Sequence, residues 1–272
     1  MPFPDALKTN PKVVFFTDFD GTITLQDSND CMTDNLGMGF EERRRLNIEV
    51  LEDRMTFADS FRTMLDSVKT PFPECIEYLK QHIQLDPTFR DFFHWAKANN
   101  VPVVVLSSGM TPIIRGLLVH LIGPEANELE IVSNEVVGRP GMKIDQEGGW
   151  TIKYHDNSGF GHDKSLAIRP YKEHIATLPE SQRATLLYAG DGVSDLSAAK
   201  ETDLLFAKAG RDLVDYCRRE NIPFTTFEDW TTILATVQDL VAGKTTAKQV
   251  ASEGWEKSKA DNSTNKEGFL KN

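Results

Sequence analysis

Residues 12–17 read KVVFFT, and the next five read DFDGT. The apolar run has no polar alternation, so the strand it predicts is buried on both faces, as in a parallel sheet. It stops at two aspartates flanking a phenylalanine, with a glycine after them. Three more short apolar runs follow at 101–106 (VPVVVL), 184–189 (ATLLYA) and 204–207 (LLFA). Amphipathic helical stretches separate the last three, the order of βαβ units. Residues 130–137 and 150–155 read as a hairpin with the Gly-rich 138–149 as its connection. A parallel α/β core is therefore the expected fold class.

The stretch between the first two strands is too long for one crossover helix and holds at least three helical patterns. In 56–68, Phe57, Phe61, Met64, Leu65 and Val68 recur at helical spacing, and Thr56 with Asp59 makes an N-terminal cap pair. Pro71 and Pro73 break the pattern before the next helix. Residues 26–86 are expected to form a small helical domain inserted after the first strand. The α/β core then comprises 12–25 and 87–243, with a return helix over 88–99 and a last core helix over 229–242, stopped by Gly243. Residues 244–272 are polar and weakly patterned. They are expected to be a flexible tail in which Trp255 and Phe269 are the candidates for docking.

The 272 residues are 40 % hydrophobic and 26 % charged, enough for a sizeable core. A formal net charge of −11 argues against nonspecific nucleic-acid binding, which needs a concentrated basic surface. The basic cluster Arg43–Arg44–Arg45 lies near Glu41, Glu42 and Glu49 and reads as a solvated helix face. Cys31, Cys75 and Cys217 are widely spaced, with no pair at metal-ligand spacing, and read as reduced thiols. The first residues have no apolar signal region, and no apolar stretch reaches membrane-spanning length. The expectation is a cytoplasmic protein with neither nucleic acid nor membrane as partner.

Four strand-end segments carry candidate chemistry. In an open parallel sheet, ligands bind beyond the C-terminal ends of strands. Asp18 and Asp20 stand there, two residues apart, so both can face one site. Close carboxylates repel, and the pair invites a cation or a shared proton. A sharp backbone turn is available at Gly21. Ser107, Ser108 and Gly109 end the second strand just before a helix expected near Pro112, whose N–H groups attract phosphate. Lys164 enters a third helix, unfavourably for the helix dipole unless an anion compensates it. Asp191 and Asp195 occupy the glycine-flanked GDGVSD loop, an oxygen donor set suited to a hard ion such as Mg²⁺. Each segment alone has a plain alternative: an Asx turn, a helix cap, a surface lysine, a capped helix.

Together, in the order Asp-x-Asp, Ser, Lys, Asp…Asp, the segments resemble phosphohydrolases of the haloacid dehalogenase superfamily over residues 12–225. The resemblance implies a Rossmann-like core with a helical cap and a Mg²⁺-dependent reaction. By the same resemblance, Asp18 attacks phosphorus and forms an aspartyl-phosphate. Asp20 protonates the leaving alcohol and then activates water. Metal ligands would come from Asp18, the Asp20 backbone carbonyl and Asp191, with Asp195 supporting the metal site or Lys164. Ser107, with the N–H groups of Ser108 and Gly109, would bind phosphoryl oxygens, and Lys164 would neutralise charge. The electrostatic need is real: two unit charges about 4 Å apart repel by roughly 4 kcal/mol at an effective dielectric of ~20.

Within the superfamily the chain resembles the phosphoserine phosphatase-like branch, through Asp27 and the run Phe57-Ala58-Asp59-Ser60-Phe61-Arg62. That branch implies Asp27 and Arg62 as substrate contacts. A second resemblance, in Asp20–Thr24, Asp203–Ala207 and Tyr216–Arg218, is to the methionine-salvage 2-hydroxy-3-keto-5-methylthiopentenyl-1-phosphate phosphatase. The expected substrate is a small polar phosphometabolite such as a polyol, sugar or hydroxy-acid phosphate. Phosphoserine, the methionine-salvage ester, a phosphomutase reaction and a non-catalytic binding role are the alternatives.

Overall fold

The computed structural model describes residues 4–269. In chain order the elements are β1 (Val13–Thr17), α1 (Ser28–Leu36), α2 (Phe40–Leu51), α3 (Phe57–Asp66), α4 (Phe72–His82), α5 (Phe89–Ala98), β2 (Val103–Met110) and α6 (Thr111–Leu121). There follow β3 (Glu130–Gly138), β4 (Trp150–Lys153), α7 (Lys164–Ala176), β5 (Thr185–Gly190), α8 (Leu196–Ala199), β6 (Leu204–Lys208), α9 (Asp212–Glu220), β7 (Thr225–Phe227), α10 (Trp230–Val241) and α11 (Ala247–Phe269). The fold is α/β with a mostly parallel set of strands. Two compact units divide it: residues 4–17, 87–103 and 165–269 form one, and 18–86 with 104–164 the other.

In the first unit β1, β5, β6 and β7 lie side by side in that order, all parallel. Alternation along β1 sends Phe15 and Phe16 to opposite faces. Phe15 meets Phe92 of α5 at 4.8 Å between ring centroids, and also Phe206 of β6 and Trp230 of α10. Phe16 meets Tyr171 of α7 edge-on at 4.9 Å. Both rings are fully buried, which is why the strand sequence shows no polar alternation. Cys217 of α9 is buried here, and burial pushes its thiol up to about 12.

The polar tail expected at 244–272 contains α11 instead. Trp255 packs edge-on against Phe224 at 5.9 Å, and the Arg218 Nε donates to the Ser258 hydroxyl at 2.9 Å. Gly254 lets the helix close on the chain, because a Cβ there would crowd the Phe224 carbonyl at 2.5 Å. A stripe this narrow is diluted by the charged residues around it, so composition hid it. The side chain of Phe269 lies outside the described residues.

In the second unit α1–α4 share a core with β2, β3, β4 and α6. The Thr56 hydroxyl accepts from the Asp59 N–H at 3.1 Å and donates to the Asp59 carboxylate at 2.7 Å, so the expected cap pair starts α3. From α3, Phe61, Met64 and Leu65 are buried as the helical stripe requires, and so is Val68 just beyond its end. The β3–β4 hairpin forms antiparallel. It packs against these helices: Trp150 meets Phe72 of α4 at 5.2 Å and donates to the Thr70 carbonyl, and Asp66 of α3 accepts from Arg139 and Thr151 at 2.7 Å.

Arg43 departs from the solvated helix face expected for the basic cluster. It is only 7 % exposed, forks onto both Asp34 carboxylate oxygens at 2.7 and 2.8 Å, and pairs with Asp30. Its neighbours Arg44 and Arg45 are exposed. The acids that hold Arg43 lie on α1, beyond the reach of a reading limited to its own helix. All three cysteines are free thiols. No described helix is long and apolar enough to cross a membrane.

Candidate active site

The residues of the DFDGT loop sit directly after β1. The Asp18 Oδ1 accepts the Phe19 N–H at 2.7 Å, and its Oδ2 lies 3.0 Å from the Lys164 ammonium. Lys164, the first residue of α7, has no exposed surface. A buried ammonium needs an anion beside it, and Asp18 is that anion. The surface-lysine alternative for Lys164 is therefore wrong. Gly21 takes a φ of +70°, the sharp turn its identity anticipated.

The Asp20 carboxylate turns to the start of α1. Its Oδ1 accepts the Ser28 N–H at 2.7 Å and its Oδ2 accepts the Asn29 Nδ2 at 2.8 Å. Asp20 is 7 % exposed. Burial pushes its carboxyl well above the usual carboxylate range, the nearby Asp27 adds to the rise, and the Ser28 hydrogen bonds oppose it. A carboxyl shifted in that direction holds its proton more readily than a free one. Asp27 itself is the N-cap of α1, with its Oδ1 accepting from the Asn29 and Asp30 N–H groups at 2.8 and 2.9 Å.

Ser107 and Gly109 belong to β2. The Ser107 hydroxyl is buried and accepts the Gly109 N–H at 3.0 Å. Gly109 lies among these groups: a Cβ there would stand a tight 3.3 Å from the Ser107 Oγ and in ordinary contact with the Asn29 Nδ2 and Asp20 Oδ2, at 3.4 and 3.5 Å. Ser107, Gly109, Asp20 and Asn29 thus converge. The adjacent Ser108 presents a carbonyl to the Asn134 Nδ2 at 2.7 Å, while its hydroxyl is buried with no hydrogen-bond partner among the described residues. Arg62 projects from α3. It donates to the Ile152 carbonyl at 3.0 Å and stacks its guanidinium 4.7 Å from the centre of the Tyr154 ring.

In the other unit, Asp195 organises the GDGVSD loop. Its Oδ2 accepts the N–H groups of Asp191 and Gly192 at 2.9 and 3.0 Å, and its Oδ1 accepts the Tyr188 hydroxyl at 2.5 Å. Asp195 is fully buried, and Gly190 must be glycine because a Cβ would collide with its carboxylate. Asp191 is half-buried, held by the Asp195 hydrogen bond to its N–H and by the Leu213 N–H donating to its carbonyl at 3.0 Å.

Sequence reasoning missed Asn29 and Tyr188. Asn29 had a usable signal: Asp27-Ser28-Asn29 is a helix-start triplet lying just beyond the acidic loop. Tyr188 had none, since its ring sits in a strand that reads as core.

Residues 15–200 match the haloacid dehalogenase-like hydrolases, and the chain belongs to that family. Among its relatives is the polyol phosphate phosphatase PYP1 of Saccharomyces cerevisiae, 51% identical over 242 residues, which cover 88% of this chain and 98% of that protein. A 2-hydroxy-3-keto-5-methylthiopentenyl-1-phosphate phosphatase of Bacillus cytotoxicus is 26% identical over 234 residues, covering 85% of this chain and 99% of the other. Among solved structures, a phospho-aspartyl intermediate analogue of phosphoserine phosphatase superposes with a TM-score of 0.57 at 18% identity, over 83% of this chain and 99% of that one. At that identity the likeness concerns the fold alone.

Proposed function

We propose that this protein is a Mg²⁺-dependent phosphomonoester hydrolase that acts on a small polyol phosphate through an aspartyl-phosphate on Asp18. The reading rests above all on the buried Lys164 held against Asp18, with Asp20, its carboxyl pushed upward by burial, two residues on. A carboxylate that must approach a phosphate dianion needs a fixed cation beside it, and Lys164 is fixed. The polyol part of the reading is supported by the name of the 51% identical yeast relative.

Asp18, Asp191 and Asp195, with the Asp20 carbonyl, are the residues proposed to hold the ion. The donors are oxygens only, without sulfur or imidazole, and that set fits a hard divalent cation. When bound, Mg²⁺ supplies positive charge that lowers the repulsion between nucleophile and phosphate.

Asp18 then forms the new bond to phosphorus while the P–O bond to the alcohol breaks. The Asp20 proton passes to the departing oxygen, and the resulting carboxylate takes a proton from the water that hydrolyses the intermediate. Ser107 and the N–H groups of Ser108 and Gly109 are proposed to bind phosphoryl oxygens, and Lys164 to balance their charge. Asp27 and Arg62 are proposed as contacts for the rest of the substrate; Arg62 spends one donor on Ile152 and has others to offer. Residues 26–86 are proposed as the cap that carries these contacts, and the cytoplasm as the location. Incubation with a panel of polyol, sugar, amino-acid and nucleotide phosphates, with and without Mg²⁺, tests the reading. Mg²⁺-dependent phosphate release, greatest from polyol phosphates, is expected; no release from any ester would overturn it.

A further inference from the structure

The α1 start does more than begin a helix. Both oxygens of Asp20 are claimed by it, one by the Ser28 backbone N–H at 2.7 Å and the other by the Asn29 side-chain amide at 2.8 Å. The two interactions differ in origin. The Ser28 donor belongs to the backbone and is available to almost any residue at that position. The Asn29 donor exists only because the side chain is an amide, and it is aimed inward, with 5 % of the residue exposed.

Two further features favour a purpose for that amide beyond packing. Its own Oδ1 is buried with no hydrogen-bond partner among the described residues, so the side chain is held for the sake of its Nδ2 end at the cost of a lone acceptor. β2 passes beside it at Gly109, where a Cβ would meet the Nδ2 at an ordinary contact distance of 3.4 Å. The amide is buried, and its donor end is committed to the Asp20 carboxyl.

We propose that Asn29 is a positioning residue that orients the Asp20 carboxyl for proton transfer to the leaving alcohol. The proposal rests on the phosphatase reading above. In the step concerned, the O–H bond of Asp20 breaks as an O–H bond forms on the departing oxygen and the P–O bond opens. The carboxylate left behind accepts N–H donors on both oxygens. With the amide gone, the Oδ2 loses that donor and Ser28 alone holds the carboxyl from the α1 start, so its orientation is less tightly fixed. Proton transfer by a positioned acid accounts for about 10²–10⁴-fold in rate, so loosening that acid removes part of it.

The consequence depends on the leaving group, which a merely structural role would not produce. An alkoxide leaving a polyol phosphate is strongly basic and needs the proton. A p-nitrophenolate is weakly basic and does not. The ratio kcat/KM reports every step through departure of that group. Asn29→Ala and the near-isosteric Asn29→Leu are to be compared with the unmodified protein on glycerol phosphate and on p-nitrophenyl phosphate, with Mg²⁺ present. Thermal unfolding serves as the check on the fold. For either variant that folds, kcat/KM on glycerol phosphate is expected to fall about tenfold or more, and on p-nitrophenyl phosphate less than about threefold. Equal losses on the two esters, or no loss on the alkyl ester, would overturn the role of Asn29 while leaving the phosphatase reading intact. Failure of the unmodified protein to hydrolyse either ester would overturn that reading and this one with it.

Discussion

At the scale of the residue, the site works by burying charge and then compensating it unequally. Lys164 and Asp18 compensate each other, whereas Asp20 is buried among hydrogen-bond donors with no cation shown on it, and burial wins over those donors. His162, two residues before Lys164, is a fourth buried group. Its Nε2 donates to the Val132 carbonyl at 3.0 Å, and its ring meets His155 edge-on at 4.7 Å. Burial, with Lys164 and His155 nearby, lowers its pKa from 6.5 to about 4. A histidine with a depressed folded pKa binds fewer protons folded than unfolded between those two values. Stability is therefore full above pH 6.5, is lost progressively as the pH falls to about 4, and changes no further below that. The whole effect is about 3 kcal/mol. Denaturant unfolding across this range should lose that slope in His162→Gln; a variant with an unchanged slope would show that another group carries it.

At the scale of the element, what was legible in the sequence followed burial pattern and caps. β1 was legible because Phe15 and Phe16 are buried on opposite faces and nothing polar interrupts them. The start of α3 was legible because Thr56 and Asp59 sit at capping distance along the chain. β7 was not, since three residues cannot declare a period. The buried Arg43 and the docking of α11 were not, because their partners lie on other elements. For the candidate site, the acids, the serine and the lysine could be read from their order at strand ends, but Asn29 was hidden in a helix start. α11 is also where the expectation and the structure part most clearly. Removing residues 247–272 exposes Phe224 and takes the Ser258 hydroxyl from Arg218. The truncated protein should lose about 2 kcal/mol, a fall in Tm of roughly 5 °C. Thermal unfolding at an unchanged Tm would return these residues to the status of a tail.

At the scale of the whole molecule, the account joins a family membership with a reading of the site. The chain is a haloacid dehalogenase-like hydrolase, and its 51% identical relative is named for polyol phosphates. The formal charge of −11 gives an anionic substrate no general attraction. The proposed recognition is therefore local, through Lys164, oriented N–H groups and the proposed Mg²⁺. Chelation with EDTA should therefore abolish turnover, and added Mg²⁺ should restore it; unchanged turnover in EDTA would remove the ion from the account. The most direct test of the central claim is phosphate release from a polyol phosphate, with Mg²⁺, by the unmodified protein and by Asp18→Asn. The account predicts a loss of roughly 10³-fold or more in Asp18→Asn, with its thermal unfolding still cooperative. Turnover by Asp18→Asn at the unmodified rate would contradict it.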